Sequence, residues 1–238
     1  QLQYRSTSGI WQTSYLSTIW YDSSDSRWET NFTPSTSAQL GTYDVRIMVN
    51  DTDSGSSGWY TYNDIITVTN NNPSLVSYTI GDYNLSRTNT TILEFSTTDI
   101  EDSSNSHTVV VQYRASSGSW KTSYLSTVWY NSSDSRWQTN FTPTTSAILG
   151  TYDVRIMVND TDGASTSWYT YNDVINVVNN KPLLLNYSFS RDSVERTNTT
   201  VISINSSDIE DAESLHTIVV QLKPSEGSWS TNDLSNLW

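Results

Sequence analysis

The stretch LGTYDVRIMVND occurs twice in this chain, at Leu40–Asp51 and at Leu149–Asp160, with 109 positions between equivalent residues. The repetition extends beyond this stretch, because residues 3–71 match residues 112–180 at 53 of 69 positions without a gap. Residues 72–109 match residues 181–218 much less well. Solenoid repeats usually have about 20–50 residues. A period of 109 residues therefore indicates tandem domains rather than a solenoid.

The duplicated stretch has the pattern of a half-buried β-strand. Tyr43, Val45, Ile47 and Val49 occupy alternate positions, and a strand places alternate side chains on one face. We expect this face to lie in a core. No stretch of useful length shows the 3.6-residue period of a helix. The residues predicted to be buried are Val45, Ile47, Val154 and Ile156.

Turn signals divide residues 72–180 into about seven short strands, which is the signature of an immunoglobulin-like β-sandwich. The predicted fold class is therefore all-β, with tandem immunoglobulin-like sandwich repeats of 109-residue period. Gly81–Asn89 is predicted to be a loop. The predicted strands are Leu75–Ile80, Thr90–Ser96, His107–Arg114, an edge strand in the following Ser-, Trp- and Tyr-rich segment, Arg136–Thr142, Gly150–Asn159 and Tyr169–Val178.

Pro73 and Pro182 open successive units, which gives three predicted parts. Residues 1–71 (the N-terminal segment) are the C-terminal part of one repeat, and residues 72–180 (the central unit) are a complete repeat. Residues 181–238 (the C-terminal segment) are the N-terminal part of a third repeat. A partial sandwich exposes its core and its strand edges. We therefore expect a window of a longer covalent array, with strand exchange between neighbouring molecules as the alternative.

Two motifs resemble parts of known surface proteins. Asn31–Asp51 and Asn140–Asp160, which read NFTP…LGTYDVRIMVND, resemble the final strands of filamin-like, cadherin-like and bacterial or archaeal surface immunoglobulin-like repeats. NNNP at Asn70–Pro73 and NNKP at Asn179–Pro182 resemble the junctions between cadherin-type domains. The resemblance implies an immunoglobulin-like fold and calcium ions that stiffen the junctions.

Tyr43 and Tyr152 each stand two residues before a predicted buried strand position. This placement resembles the tyrosine corner of immunoglobulin-like domains, in which the hydroxyl bonds to the backbone a few residues upstream. Val45 and Val154 then occupy the place where antibody domains carry their second cysteine. The alternative is an ordinary amphipathic strand without the corner.

Composition excludes several partners. The net charge is −13, from 25 acidic and 12 basic residues, and such a surface repels nucleic acid and anionic lipid. The absence of cysteine excludes disulfides and thiolate chemistry. No apolar run reaches the roughly 18 residues of a membrane span, and no segment has the pattern of a signal peptide.

Acidic loops are the candidate metal sites. DIED occurs at Asp99–Asp102 and again at Asp208–Asp211, and NDTD follows a predicted strand at Asn159–Asp162. In an immunoglobulin-like sandwich these two kinds of loop share one end, where the linker from the preceding unit also enters.

Carboxylate and amide oxygens suit Ca²⁺, which takes about six to eight of them, so we predict calcium at the domain junctions. The alternative is that these aspartates only form turns. The predicted ligands are Asp99, Glu101, Asp102, Asp160, Asp162 and a linker asparagine, Asn72 or Asn71, with Asp208, Glu210 and Asp211 at the next junction.

The chain has ten Asn-X-Ser/Thr sequons, somewhat more than the six or seven that its composition gives by chance. If the protein is exported, we expect glycan at several of them. Asn31 and Asn140, and Asn89 and Asn198, are favoured because each pair recurs. The ten are Asn31, Asn50, Asn84, Asn89, Asn131, Asn140, Asn159, Asn186, Asn198 and Asn205.

The sequence predicts a protein without enzymatic activity. The two histidines, His107 and His216, are one position in successive repeats, so they do not indicate a catalytic set. The expected function is a structural segment of an extracellular filament, stalk or adhesin whose partners are copies of itself. The alternative is a tandem carbohydrate- or protein-binding module, with Ile19–Trp28 and Trp59–Tyr62 as an aromatic platform for sugar rings.

Overall fold

The computed structural model describes residues 1–232 and residue 234, and it is built almost entirely of β-strands. Its helices are two single turns of 3-10 helix, Ser104–Ser106 and Glu213–Leu215. Among the described residues there is accordingly no helix with the length and apolarity of a membrane span.

The N-terminal segment contains one sheet and one separate hairpin. The sheet has the order β1-β4-β5, and β2 pairs with β3 in the hairpin. The strands are β1 (Leu2–Ser6), β2 (Trp20–Asp22), β3 (Arg27–Glu29), β4 (Gly41–Ile47) and β5 (Tyr60–Val68).

The central unit contains eight strands in two four-stranded sheets. The strands are β6 (Ser74–Ile80), β7 (Asn84–Ser86), β8 (Thr91–Thr98), β9 (Thr108–Ala115), β10 (Trp129–Asn131), β11 (Arg136–Phe141), β12 (Gly150–Asn159) and β13 (Tyr169–Val178). In the C-terminal segment, β14 (Leu183–Phe189) and β15 (Ile202–Ser207) form a two-stranded sheet.

The two sheets of the central unit have the strand order of an immunoglobulin-like sandwich. One sheet runs β6-β8-β11-β10 and the other runs β9-β12-β13-β7. These orders match the A-B-E-D and C-F-G sheets of that fold. The added strand β7 pairs in parallel with β13, while the other pairs are antiparallel.

The core lies between these two sheets. Leu93 and Phe95 of β8 face Ile156 and Val158 of β12, and the exposed fraction of each side chain is at most 1%. Alternation along the strands produces this core, because the buried apolar residues of β8 and β12 occupy every second position. The predicted burial of Val154 and Ile156 is confirmed.

The predicted burial is wrong for one residue, Ile47 in the N-terminal segment. Val45 is buried with 9% exposed, but Ile47 is 36% exposed, whereas its equivalent Ile156 is fully buried. The strands themselves are alike, since Tyr4 pairs with Val45 as Tyr113 pairs with Val154. The difference is that no described strand packs over the part of the β1-β4-β5 sheet that contains Ile47.

The sequence located the strands of the central unit to within about two residues, with one omission. The predicted loop Gly81–Asn89 contains the short strand β7, which pairs with β13 at Asn84↔Asn176. A strand of three residues is too short to show an alternation of apolar and polar side chains, so the sequence did not predict β7. The division of the chain at Pro73 and Pro182 stays a prediction.

The tyrosine corner is confirmed in both copies. The Tyr43 hydroxyl donates to the Gln39 carbonyl, and the Tyr152 hydroxyl donates to the Ile148 carbonyl, each at 2.8 Å. Both rings are buried. Burial raises the pKa of Tyr152 to about 12. Each corner ties the start of a core strand to the loop before it.

Candidate metal-binding junction

Three stretches meet where the N-terminal segment joins the central unit. They are the loop after β8, the loop after β12 and the linker before Pro73, and hydrogen bonds join each pair of them. The loops after β8 and β12 leave the same end of the sandwich, so the ends of these two strands lie close together. As the sequence suggested, the two acidic loops and the linker therefore lie together.

Asp99 holds the first acidic loop in a tight turn. Its Oδ1 accepts hydrogen bonds from the backbone N–H groups of Glu101 at 2.8 Å and Asp102 at 3.2 Å. Burial alone would raise the pKa of Asp99, but the hydrogen bonds from Glu101 and Asp102 and the nearby imidazole of His107 outweigh it. The net effect lowers the pKa, so this carboxylate is ionised at neutral pH.

The linker binds both acidic loops through its asparagines. Asn70 Nδ2 donates to Asp160 Oδ2 at 2.7 Å, and Asn71 Nδ2 donates to Glu101 Oε1. Asp160 also closes its own loop, because its Oδ1 accepts from the Ala164 N–H at 2.8 Å. The linker is thus fixed against the central unit by side-chain amides.

The two acidic loops also bind each other directly. The backbone N–H of Thr161 donates to Asp102 Oδ2 at 3.1 Å, and the Thr161 hydroxyl contacts both carboxylate oxygens of Asp102 at 2.8–2.9 Å. Asp102 and Asp160 therefore have hydrogen-bond partners on both of their oxygens.

Three oxygens at this junction are buried and lack any hydrogen-bond partner among the described residues. They belong to Asp99 (Oδ2), Glu101 (Oε2) and Asn159 (Oδ1). A buried carboxylate oxygen without a partner is costly, and a divalent cation is the kind of ligand that relieves this cost. Two carboxylates and an amide are hard oxygen donors of the kind that Ca²⁺ takes. Among the described residues, however, the acidic side chains of this junction do not form a group of three whose ligand atoms lie within 4.8 Å of one another.

Two of the predicted ligands take no part in the hydrogen bonds of the junction. Asp162 and Asn72 are exposed, and neither side chain makes a hydrogen bond within the described part of the chain. Of the two linker asparagines that the sequence suggested, Asn71 contacts the acidic loops, and Asn70 does so as well. The sequence placed Asn159 in the NDTD loop but did not suggest it as a ligand, because the burial of its Oδ1 at the end of β12 follows from the sandwich rather than from any local pattern.

The next junction repeats the same arrangement. Asp208 Oδ1 accepts from the N–H groups of Glu210 at 2.8 Å and Asp211 at 3.2 Å. Asn180, the equivalent of Asn71, donates its Nδ2 to Glu210 Oε1 at 2.8 Å. Glu210 Oε2 is again buried without a partner. The hydrogen bond from the Glu210 N–H is the main cause of the lowered pKa of Asp208.

A second acidic group lies on the β2–β3 hairpin, where the sequence had suggested only an aromatic platform. The carboxylates of Asp22, Asp25 and Glu29 lie within 4.8 Å of one another. At the equivalent positions Asn131 donates to Asp134 at 2.7 Å and to Gln138 at 3.3 Å. Asp25 is exposed, Asp22 and Glu29 are half-buried, and none of the three has a buried oxygen without a hydrogen-bond partner.

Four tryptophans stack on arginines, and of these only Trp59 belongs to the aromatic platform suggested by the sequence. Arg46 lies between the rings of Trp11 and Trp59, at 4.5 and 4.3 Å from their centroids. Arg155 lies in the same way between Trp120 and Trp168. Cation–π stacking of this kind occupies ring faces that a sugar would need, so it supports a structural role for these tryptophans.

The sequon asparagines differ in their solvent exposure. Asn131, Asn140 and Asn159 are half-buried, and Asn131 Nδ2 already donates to Asp134 and Gln138. Glycosylation stays a prediction, and the accessible sites are its better candidates. The exposed sequon asparagines are Asn31, Asn50, Asn84, Asn89, Asn186, Asn198 and Asn205.

Comparisons with known proteins add little to this geometry. No protein-family model matches the chain, and no curated protein matches its sequence. Among solved structures, the titin domains z1z2 in complex with telethonin match at 14% identity and a TM-score of 0.35. That match covers 75% of this chain and 82% of the titin chain. The immunoglobulin-like fold stated here rests on the strand order of the central unit.

Proposed function

We propose that this chain is a structural segment of an extracellular filament, stalk or adhesin, built from sandwich repeats whose junctions bind Ca²⁺. The observation that carries the proposal is the junction itself, where linker amides join two acidic loops around unpartnered buried oxygens. A junction held on several sides has little freedom to bend. Repetition of such junctions gives a stiff array, and this role needs no catalytic residue.

Calcium would act at the junction through the chain's own oxygens. Asp99, Glu101 and Asn159 are the residues that would hold the ion, because their free oxygens are buried there. The ion would offset the repulsion among the ionised carboxylates of the two loops. Millimolar calcium outside cells is enough for sites with a Kd of about 10⁻⁴–10⁻³ M, which is consistent with an extracellular location.

Calorimetry of the whole chain tests the proposal. We expect calcium to raise the unfolding temperature relative to EDTA, because a ligand that binds only the folded state stabilises it by about 2.7 kcal/mol at 100 times its Kd. Asp99→Asn should abolish this increase. Asp82→Asn, at an exposed site of the central unit that belongs to neither acidic group, is the matched control and should keep it. Superimposable scans in calcium and EDTA would refute the calcium-bound junction.

A further inference from the structure

The loop after β12 contains the single Asp–Gly pair of the sequence, Asp162–Gly163, and the sequence has no Asn–Gly pair. Both residues are exposed, and the Asp162 carboxylate makes no hydrogen bond within the described part of the chain. The backbone N–H of Gly163 likewise donates to no group among the described residues. A carboxyl group without a partner therefore stands directly before a backbone amide without a partner.

The residue that follows the aspartate decides how easily that amide nitrogen reaches the carboxyl carbon. A side chain on the following residue shields its own backbone nitrogen, whereas glycine has no Cβ. Gly163 has a φ of +90°, and a Cβ built on it would meet nothing within 4 Å. Neither its own structure nor a neighbouring group therefore hinders attack by the Gly163 nitrogen.

The equivalent loop of the N-terminal segment offers a natural comparison. There Asp53 is followed by Ser54, which adopts the same left-handed conformation with a φ of 74°. Each loop is closed by its first aspartate, whose Oδ1 accepts from the N–H four residues later, at 2.7 Å for Asp51 and 2.8 Å for Asp160. The fold of the loop therefore does not require glycine at the position of Gly163.

We propose that Asp162–Gly163 is a site of spontaneous isoaspartate formation, and that this modification loosens the junction. In the first step the Gly163 nitrogen attacks Cγ of Asp162, and an N–Cγ bond forms. The hydroxyl of the protonated carboxyl group and the amide hydrogen leave together as water. The product is a cyclic succinimide.

Water then opens the succinimide at one of its two C–N bonds. Hydrolysis of the Cγ–N bond restores aspartate. Hydrolysis of the bond between the main-chain carbonyl carbon of Asp162 and the nitrogen leaves the chain connected through the side chain, with the main-chain carbonyl carbon now a carboxylate. The water lost in the first step is regained in the second, so mass and net charge are unchanged and no oxidant is needed. The backbone is longer by the Cβ atom.

The lengthened backbone lies in a loop that is held on both sides of the site. Directly before it, Thr161 binds Asp102 of the other acidic loop through its N–H and its hydroxyl, at 2.8–3.1 Å. Directly after it, Ala164 donates its N–H to Asp160 Oδ1 at 2.8 Å and accepts from the Asp160 N–H at 3.1 Å. An added main-chain atom within so short a loop lengthens some of these contacts. Because Asp160 also accepts from Asn70 of the linker, the modification weakens the junction.

Ageing of the whole chain in warm, mildly acidic buffer with EDTA tests the chemistry. Peptide mapping with electron-transfer fragmentation distinguishes isoaspartate from aspartate at each position. We expect isoaspartate to accumulate at Asp162. Asp53 is the control within the same sample, and it should give about tenfold less product because Ser54 carries a Cβ.

Two exchanges between the loops assign the cause to the glycine. Gly163→Ser gives the central loop the residue that Ser54 already provides in the equivalent conformation, and it should abolish the product at Asp162. Ser54→Gly should create the product at Asp53. A parent chain without isoaspartate at Asp162 after ageing, equal amounts at Asp53 and Asp162, or persistence of the product in Gly163→Ser would overturn the inference.

Thermal unfolding in EDTA tests the consequence for the junction. The aged parent should unfold at a lower temperature than the fresh parent, whereas aged and fresh Gly163→Ser should unfold alike. An aged parent that contains isoaspartate at Asp162 and unfolds at the same temperature as the fresh one would show that the junction is not loosened. Neither readout involves calcium, so a fresh chain that fails to respond to calcium would refute the proposed function and leave this inference standing.

Discussion

At the residue scale, the two tyrosine corners show how one side chain fixes a strand. Tyr152 lies inside the core cluster with Tyr113 and Phe141, at ring-centroid distances of 6.0 and 5.7 Å. Its hydroxyl reaches back to Ile148. The buried ring stabilises the core, and the hydrogen bond of the hydroxyl fixes where β12 begins. The sequence predicted this because both partners are local, four residues apart.

Tyr152→Phe should lower the free energy of unfolding by about 0.5–1.5 kcal/mol at neutral pH, because it removes one hydrogen bond. It should also change the alkaline response. Burial raises the pKa of Tyr152 to about 12, above about 10 for an unfolded tyrosine. The neutral phenol therefore contributes stability that is complete below pH 10 and is lost as the pH rises towards 12.

Urea unfolding between pH 7 and pH 12, followed by tryptophan fluorescence, measures both effects. The variant should lose stability less steeply above pH 10 than the parent does. Tyr60→Phe, at an exposed site, is the control and should behave like the parent. An unchanged alkaline slope in Tyr152→Phe would contradict this account of the residue.

At the element scale, β4 and β12 are nearly the same sequence in different surroundings. Both pair with their neighbours in one register, but only β12 has a facing sheet that buries its far end. Strand formation is thus decided by the local pattern, whereas burial is decided by partners that lie far away in sequence.

This contrast predicts different effects for two matched substitutions. Ile156→Ala should lower the free energy of unfolding by about 2–5 kcal/mol, because it leaves a cavity in a closed core. Ile47→Ala should cost less than about 1 kcal/mol in dilute solution, because the side chain is already partly in water. Chemical denaturation at nanomolar concentration measures the difference. Equal costs for the two variants would show that Ile47 is covered within a single chain.

The same contrast explains what the sequence predicted well and what it did not. Alternation and turn residues located the strands of the central unit, and the repeat gave their equivalents in both flanking segments. The wrong expectation for Ile47 and the omission of β7 have a common cause, since both depend on long-range contacts that local patterns do not encode. At the junction, the sequence predicted the acidic loops and a linker asparagine, Asn71 or Asn72, but the contacts of Asn70 and Asn159 needed the geometry.

At the scale of the whole molecule, the chain combines one closed sandwich with two segments whose core faces are open. Its surface carries a net charge of −13, so association must overcome repulsion between copies. Calcium at the proposed junction sites would lower that repulsion. The proposed function is accordingly a calcium-dependent array rather than an independent binding domain.

An image of the native assembly at residue resolution, obtained by electron cryo-microscopy in calcium, tests this central claim most directly. We predict sandwiches arranged in succession along one axis, each joined to the next through Asn70, Asn71 and their equivalents. Density for an ion should lie among Asp99, Glu101 and Asn159. Isolated molecules without an axial repeat, or a junction in which these side chains point away from one another, would contradict the account.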